Sequence, residues 1–116
     1  MANDSSADHS CADLGAYVKK LARASVLVVG DAMLDRYTYG EVTRVSPEAP
    51  VPILTVTREV AMPGGAGNVV RNLIALDASA AFVSVVGDDQ AGSDLTGLIG
   101  GQERVEPWLL VQNGRT

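Results

Sequence analysis

Three glycines in four positions, Gly64, Gly65 and Gly67, stand directly before an apolar helical run. Because glycine has no Cβ, a ligand or another backbone segment can approach the chain closely at these positions. The apolar residues that follow recur at helical spacing and predict a helix over about 66–76: Val69, Val70, Leu73, Ile74 and Leu76. Asn68 adds an amide that both donates and accepts hydrogen bonds. A glycine-rich entry to a helix is a weak signal alone, so its meaning depends on the neighbouring segments.

Strands and helices alternate on both sides of this turn. Ser25–Val29 and Ala80–Gly87 are short apolar runs, typical of parallel strands that are central and buried on both faces. A helix is predicted before the first run, with Asp13 as its N-cap, and another helix after the second run, with Asp88 or Asp89 as its cap. A further strand begins at 108–111. This order predicts an α/β fold with a parallel sheet.

The segment from Tyr37 to Val60 interrupts the alternation. Apolar and polar residues alternate there around a proline-rich link. The pattern predicts half-exposed antiparallel strands, because proline is confined to sheet edges and turns. We therefore expect a small β flap over about 37–60, inserted after the first strand.

Composition and charge limit the classes of protein to which this chain could belong. The 116 residues carry a net charge of −5, which argues against nucleic acid and anionic membrane surfaces as partners. A single cysteine, in a chain that starts without a signal-peptide pattern, predicts a cytoplasmic protein. We expect residues 1–13 to be a disordered leader and residues 14–116 to be one domain. His9 and Cys11 fall in the leader and are interpreted as solvated tail residues.

A dinucleotide-binding oxidoreductase would need Gly-x-Gly-x-x-Gly directly after the first strand. The sequence there is Gly30-Asp31-Ala32-Met33-Leu34, which lacks that motif. We therefore discard that class.

Two segments together carry a resemblance to a known family. They are Val28 to Tyr37, which reads Val-Val-Gly-Asp-Ala-Met-Leu-Asp-Arg-Tyr, and the turn from Gly64 to Asn68. Both resemble the ribokinase-like (PfkB) sugar kinases. The Ser-Pro-Glu-Ala-Pro stretch at 46–50 is similar to the heptose-7-phosphate kinases of lipopolysaccharide-core biosynthesis in particular. The resemblance runs from about Leu21 to the end of the chain, and it implies the N-terminal half of a parallel-sheet sandwich with an inserted β lid.

The chain also departs from the pattern of these kinases. Val70 stands where the family expects a small residue, and Asp77 where it expects Gly or Ser. Asp77 replaces the glycine that ends a helix, so we expect slight strain in the left-handed backbone conformation there. Neither residue is expected to touch the site.

The resemblance also implies a substrate site. Asp35 would accept hydrogen bonds from two sugar hydroxyls, and its alternative role is a turn or helix cap. Gly64, Gly65 and Asn68 would form the turn that contacts the sugar, unless Asn68 instead bonds its own backbone. Asp31 is equally interpretable as a ligand or as part of an ordinary turn.

A phosphate on the substrate needs cations, and arginine suits two-pronged contact with phosphate oxygens. Four arginines lie near these motifs: Arg36, Arg44, Arg58 and Arg71. Arg44 ranks first, because it opens the segment that marks the heptose kinases. We interpret Asp88 and Asp89 as caps rather than metal ligands, and we assign no catalytic or metal residue to this chain.

The implied activity is ATP-dependent phosphorylation of heptose 7-phosphate at its anomeric hydroxyl. ATP and Mg²⁺ would be bound mainly by a C-terminal half that this chain does not contain. A homodimer formed through the β lid is expected, because exposed strand edges need covering. The alternatives are a catalytically incomplete sugar-binding or dimerisation module and a kinase for another sugar.

Overall fold

The computed structural model describes residues 11–115. In chain order they form α1 (Cys11–Lys20), a 3₁₀ turn (Leu21–Arg23), β1 (Ser25–Val29), β2 (Ala32–Val45), β3 (Pro52–Gly65), α2 (Ala66–Ala75), β4 (Ser79–Gly87), α3 (Gln90–Gly100) and β5 (Val105–Gln112). The predicted positions of β1, α2, β4 and α3 agree with the structure, whereas β5 begins at Val105, before the predicted start at 108.

The predicted parallel sheet is present, with strand order β1-β4-β5. Val28 of β1 lies opposite Phe82 of β4, and Val83 of β4 lies opposite Trp108 of β5. Because parallel neighbours need a crossover connection, each helix between two of these strands must pass over the sheet.

The core lies on one face of this sheet. Alternate residues of β4, including Phe82 and Val86, are buried there against Val70 of α2 and against Leu95 and Ile99 of α3. Val70 is only 1% exposed, so the side chain that departs from the family pattern is part of the core. Both crossover helices pack on this face, and β4 is the central strand because it pairs with β1 on one side and β5 on the other.

The prediction that β1 is a central strand buried on both faces is wrong for the described residues. β1 pairs only with β4 and forms an edge of the described three-stranded sheet. Leu27 and Val29 point away from the core and are 66% and 70% exposed. The physical reason is that α2 and α3 cover the same face, leaving the side chains of the opposite face in solvent.

The β flap is longer than predicted. β2 and β3 form an antiparallel hairpin over 32–65, with register shifts at Tyr39/Gly40 and Val42/Arg44. Its inner end is held by the core, because Leu34 packs there and the Ala32 backbone N–H donates to Oγ of buried Ser84 at 3.1 Å. Asp35, Gly64 and Gly65 therefore lie in strands, where the sequence analysis expected turns beside the first strand and the helix.

The predicted left-handed conformation at Asp77 and the predicted cap at Asp89 are both confirmed. Asp77 has a φ of 65°, the left-handed conformation expected where the family carries a glycine. The turn is closed by hydrogen bonds from Asp77 N to Ile74 O at 2.9 Å and from Ala78 N to Leu73 O at 3.0 Å. Asp89 caps α3, its Oδ1 accepting a hydrogen bond from Gly92 N at 2.7 Å.

The start of the domain differs from the prediction. α1 begins at Cys11, so residues 11–13 are helical rather than part of a leader, and Asp13 lies in the first turn instead of at the N-cap. The expected leader over 1–10, including His9, falls outside the described residues. Among the helices that the structure describes, none combines the length and apolarity needed to cross a membrane.

Candidate functional site

Two turns meet at the carboxyl end of β1. The backbone N–H of Ala66, the first residue of α2, donates to the carbonyl oxygen of Asp31 at 2.9 Å. Gly65 caps α2 with a φ of 56°, and a Cβ at this position would lie 2.7 Å from that same oxygen. Gly65 therefore serves two needs at once, a left-handed backbone and a close approach between two segments.

Asp35 and Gly64 form the centre of the candidate site. A Cβ built on Gly64 would lie 2.6 Å from Cγ of Asp35 and 2.8 Å from its Oδ1. The Asp35 carboxylate thus occupies the space that any side chain at residue 64 would fill. Gly64 is buried, whereas Asp35 is exposed on β2. The absence of a side chain at residue 64 lets the carboxylate lie against the backbone.

Asn68 lies in the first turn of α2, next to this pair of strands. That turn is packed on β3, since a Cβ at Gly67 would come within 2.8 Å of the Pro63 Cβ. Asn68 is exposed, and no side-chain hydrogen bond between residues 11–115 involves it. Its amide therefore does not satisfy its own backbone, and it is free to contact a ligand.

Asp31 contributes through its backbone. Its carbonyl oxygen holds the start of α2, while its side chain is 82% exposed and pairs with Arg115 at 3.1 Å. These contacts describe a structural turn, and a ligand role for the Asp31 carboxylate stays a prediction.

Arg44 does not join the site within one copy of the chain. It lies opposite Ile53 near the far end of the hairpin, nine residues beyond Asp35. At the rise of an extended strand this separation is roughly 30 Å. The sequence ranking placed Arg44 first because of the motif around it, but β2 continues outward instead of folding back toward Asp35.

The side chain of Arg36 also contacts a residue outside the candidate site. Its guanidinium pairs with Asp94 of α3 at 2.8 Å, and Gln90 donates to the other carboxylate oxygen of Asp94 at 2.7 Å. The hydrogen bond from Gln90, followed by the hydrogen bond and charge of Arg36, lowers the pKa of Asp94. This network ties the base of the hairpin to α3. The sequence analysis missed it, because no spacing rule links residues 58 positions apart.

A cavity of about 320 Å³ opens at the carboxyl end of β4. It lies between the base of β2 and the first turn of α3, and Leu34, Gly87, Gly92 and Leu95 are among its lining residues. None of the six predicted site residues lines it. Asp35, Gly64 and Asn68 lie outside this cavity, on the hairpin and the first turn of α2, where they form the candidate site.

Comparison with known proteins shows the family to which the chain belongs. The family described as pfkB family carbohydrate kinase matches residues 23–103, which include Asp35, Gly64, Gly65 and Asn68. The chain is 78% identical over 109 residues to "Bifunctional protein HldE" of Acidiphilium cryptum, which covers 94% of the chain and 22% of that relative. It is 59% identical over 98 residues to the protein of the same name from Paramagnetospirillum magneticum, covering 84% of the chain and 20% of that relative.

A third protein of that name, from Rhodospirillum rubrum, is 51% identical over 102 residues, covering 88% of the chain and 21% of the relative. The chain thus spans about a fifth of the length of these curated relatives. The family match extends over most of the chain, and it includes β1, β4, the hairpin and the glycine-rich entry to α2. The chain belongs to the pfkB family of carbohydrate kinases.

Proposed function

We propose that this chain supplies the sugar-binding part of a kinase that transfers the γ-phosphoryl group of ATP to the anomeric hydroxyl of heptose 7-phosphate. The product would be the 1,7-bisphosphate used for ADP-heptose and lipopolysaccharide-core synthesis. The observation that carries the proposal is the Asp35 carboxylate lying against the backbone of Gly64, beside the first turn of α2. Membership of the pfkB family and high identity to relatives named "Bifunctional protein HldE" support the substrate class.

The geometry suits recognition of a sugar. A carboxylate accepts two hydrogen bonds from neighbouring hydroxyls, and such bonds to a charged acceptor are stronger than neutral ones. Gly64 removes the side chain that would otherwise separate the ring from the backbone, and Asn68 offers a donor and an acceptor. Phosphoryl transfer depends mainly on positioning and charge stabilisation, so a rigid sugar site contributes directly to the rate.

Within residues 11–115, no three His, Cys, Asp or Glu side chains form a group that could hold a metal ion. We propose that other segments of the full-length product bind ATP and Mg²⁺ and supply the catalytic base.

The test is an assay of the full-length product of the reading frame that contains this chain. The protein is supplied with ATP, Mg²⁺ and either heptose 7-phosphate or other phosphorylated sugars, and new phosphate esters are identified by ³¹P NMR. We expect an anomeric phosphate on heptose 7-phosphate. Turnover of a different sugar alone would favour a kinase for that sugar, and binding without turnover would favour a non-catalytic sugar-binding module.

We also propose that the hairpin pairs with that of a second copy. Beyond the register shift at Tyr39/Gly40, Val42, Leu54 and Val56 lie on one face of two strands and are exposed. A two-stranded sheet has little stability of its own, and exposed apolar residues on it favour association. A second copy of the same hairpin offers a matching apolar surface.

Light scattering on the full-length product tests the dimer. We expect a dimer that shifts to monomer when Val42 and Leu54, which lie opposite each other, are both replaced by lysine. The control is Glu41→Gln/Thr55→Lys, which makes the same change of net charge in the neighbouring cross-strand pair on the other face of the hairpin. An unchanged mass for Val42→Lys/Leu54→Lys would contradict the proposal.

A further inference from the structure

The four arginines that the sequence brings near the site have different surroundings in the fold. Arg36 pairs with Asp94, and Arg44 lies at the far end of the hairpin. Arg58 lies across from Tyr39 and stacks over its ring at 4.5 Å. Tyr39 is four residues along β2 from Asp35, roughly 13 Å at the rise of a strand. Only Arg71 remains to be placed.

Arg71 is directed toward the centre of the candidate site. It lies three residues after Asn68 on α2, so the two side chains share a face of the helix. Its Nη1 donates to Sδ of Met62 at 3.4 Å. Met62 lies directly opposite Asp35 in the hairpin. The Arg71 guanidinium is thus beside the cross-strand partner of the residue proposed to hold the sugar hydroxyls.

Among the residues that the structure describes, the guanidinium of Arg71 has only a weak hydrogen-bond partner, the sulfur of Met62. It carries five N–H donors, and a thioether sulfur is a weak acceptor. Within residues 11–115, no carboxylate lies within 4.0 Å of it, and Asp35 forms no ion pair there either. Arg71 is nevertheless partly buried. A partly buried cation is favourable only when an anion or several acceptors compensate for the lost water.

We propose that Arg71, and not Arg44, binds the phosphate group of the phosphorylated sugar and so determines the preference for a phosphorylated substrate. This inference rests on the proposed function and names the residue that binds the phosphate group of the substrate in the same site. Asp35 and Arg71 would then bind different parts of the substrate. The Asp35 carboxylate would accept hydrogen bonds from sugar hydroxyls, and the Arg71 guanidinium would donate two hydrogen bonds to phosphate oxygens.

The experiment compares Arg71→Met and Arg71→Lys in the full-length product. Methionine keeps an unbranched side chain with good helix propensity and removes the charge, while lysine keeps the charge and loses the planar pair of donors. KM and kcat are measured with heptose 7-phosphate and with the unphosphorylated heptose. Arg23→Met is the matched control, because Arg23 is exposed in the 3₁₀ turn before β1.

For Arg71→Met we expect KM for heptose 7-phosphate to rise about 10- to 100-fold, the range for loss of hydrogen bonds to a charged group. The unphosphorylated sugar should be used as before, so the preference for the phosphorylated one disappears. Arg71→Lys should fall between the wild type and Arg71→Met, and Arg23→Met should match the wild type.

Three results would overturn the inference and leave the proposed function intact. If Arg71→Met lowers kcat/KM equally for both sugars, Arg71 has a structural role. If Arg71→Met leaves KM for heptose 7-phosphate unchanged, Arg71 does not bind the phosphate group. A higher KM for heptose 7-phosphate in Arg44→Met but not in Arg71→Met would show that Arg44 binds the phosphate group, as the sequence predicts. If Asp35→Ala inactivates the enzyme while Arg71→Met is normal, the proposed function stands and only this inference fails. A wild-type protein that phosphorylates neither sugar would contradict both the proposed function and this inference.

Discussion

Replacing Asp35 by alanine is expected to lower kcat/KM for the sugar by about a hundredfold or more in the full-length product. The carboxylate would accept hydrogen bonds from two hydroxyls, each worth about 1.5–3 kcal/mol when the acceptor is charged. Their combined loss is about 3 kcal/mol at least, and each 1.4 kcal/mol corresponds to a factor of ten. Because Asp35 is exposed, the substitution should leave the fold intact.

Steady-state kinetics with varied sugar and varied ATP check this expectation. The affinity for ATP should stay unchanged, since the proposed nucleotide site involves none of the described residues. Asp13→Ala on α1 is the matched control, because it removes an exposed aspartate that lies on a different element. An Asp35→Ala protein with normal KM and kcat for the sugar would contradict the site assignment.

Replacing Gly64 by alanine should cause a loss of sugar use similar to that of Asp35→Ala. Gly64 does not have a positive φ, so its backbone accepts alanine and only the added Cβ matters. That Cβ would collide with the Asp35 carboxylate. Because Asp35 is exposed, its side chain can rotate away from the collision, which preserves the fold and displaces the carboxylate from the site.

A double-mutant cycle distinguishes this mechanism from general damage. If Gly64→Ala acts through Asp35, adding it to Asp35→Ala should cause little further loss, because the two changes remove the same interaction. Gly97→Ala in α3 is the control, since a Cβ there meets no atom within 4 Å. Independent, additive losses from Gly64→Ala and Asp35→Ala would show that Gly64 acts by another route.

Local features of the sequence were sufficient for most elements of the sheet layer. Apolar runs marked β1, β4 and β5, and helical spacing marked α2. Asp89 was one of two candidate caps for α3, and it accepts the hydrogen bond that a cap requires. Asp77 was expected in a left-handed conformation and has it. These features are predictable because their causes lie within a few residues of one another.

Features that depend on distant contacts were not predictable in this way. The hairpin begins five residues before the predicted flap, because Ala32 bonds to Ser84 and Leu34 joins the core. The exposure of β1 follows from both crossover helices covering one face, which its own sequence does not encode. Arg44 was ranked by its motif, whereas its distance from Asp35 depends on the length of β2.

Periodicity and short motifs are local properties, and they were enough to establish the α/β class, the family and the residue types of the candidate site. Which of those residues meet depends on the tertiary structure. The fold places Asp35 against Gly64 of the neighbouring strand and Arg71 beside Met62. It places Arg44 at the far end of the hairpin, away from both. The reason is physical: strand register and helix packing set distances between residues far apart in the chain, and neither is fixed by the residues nearest to them.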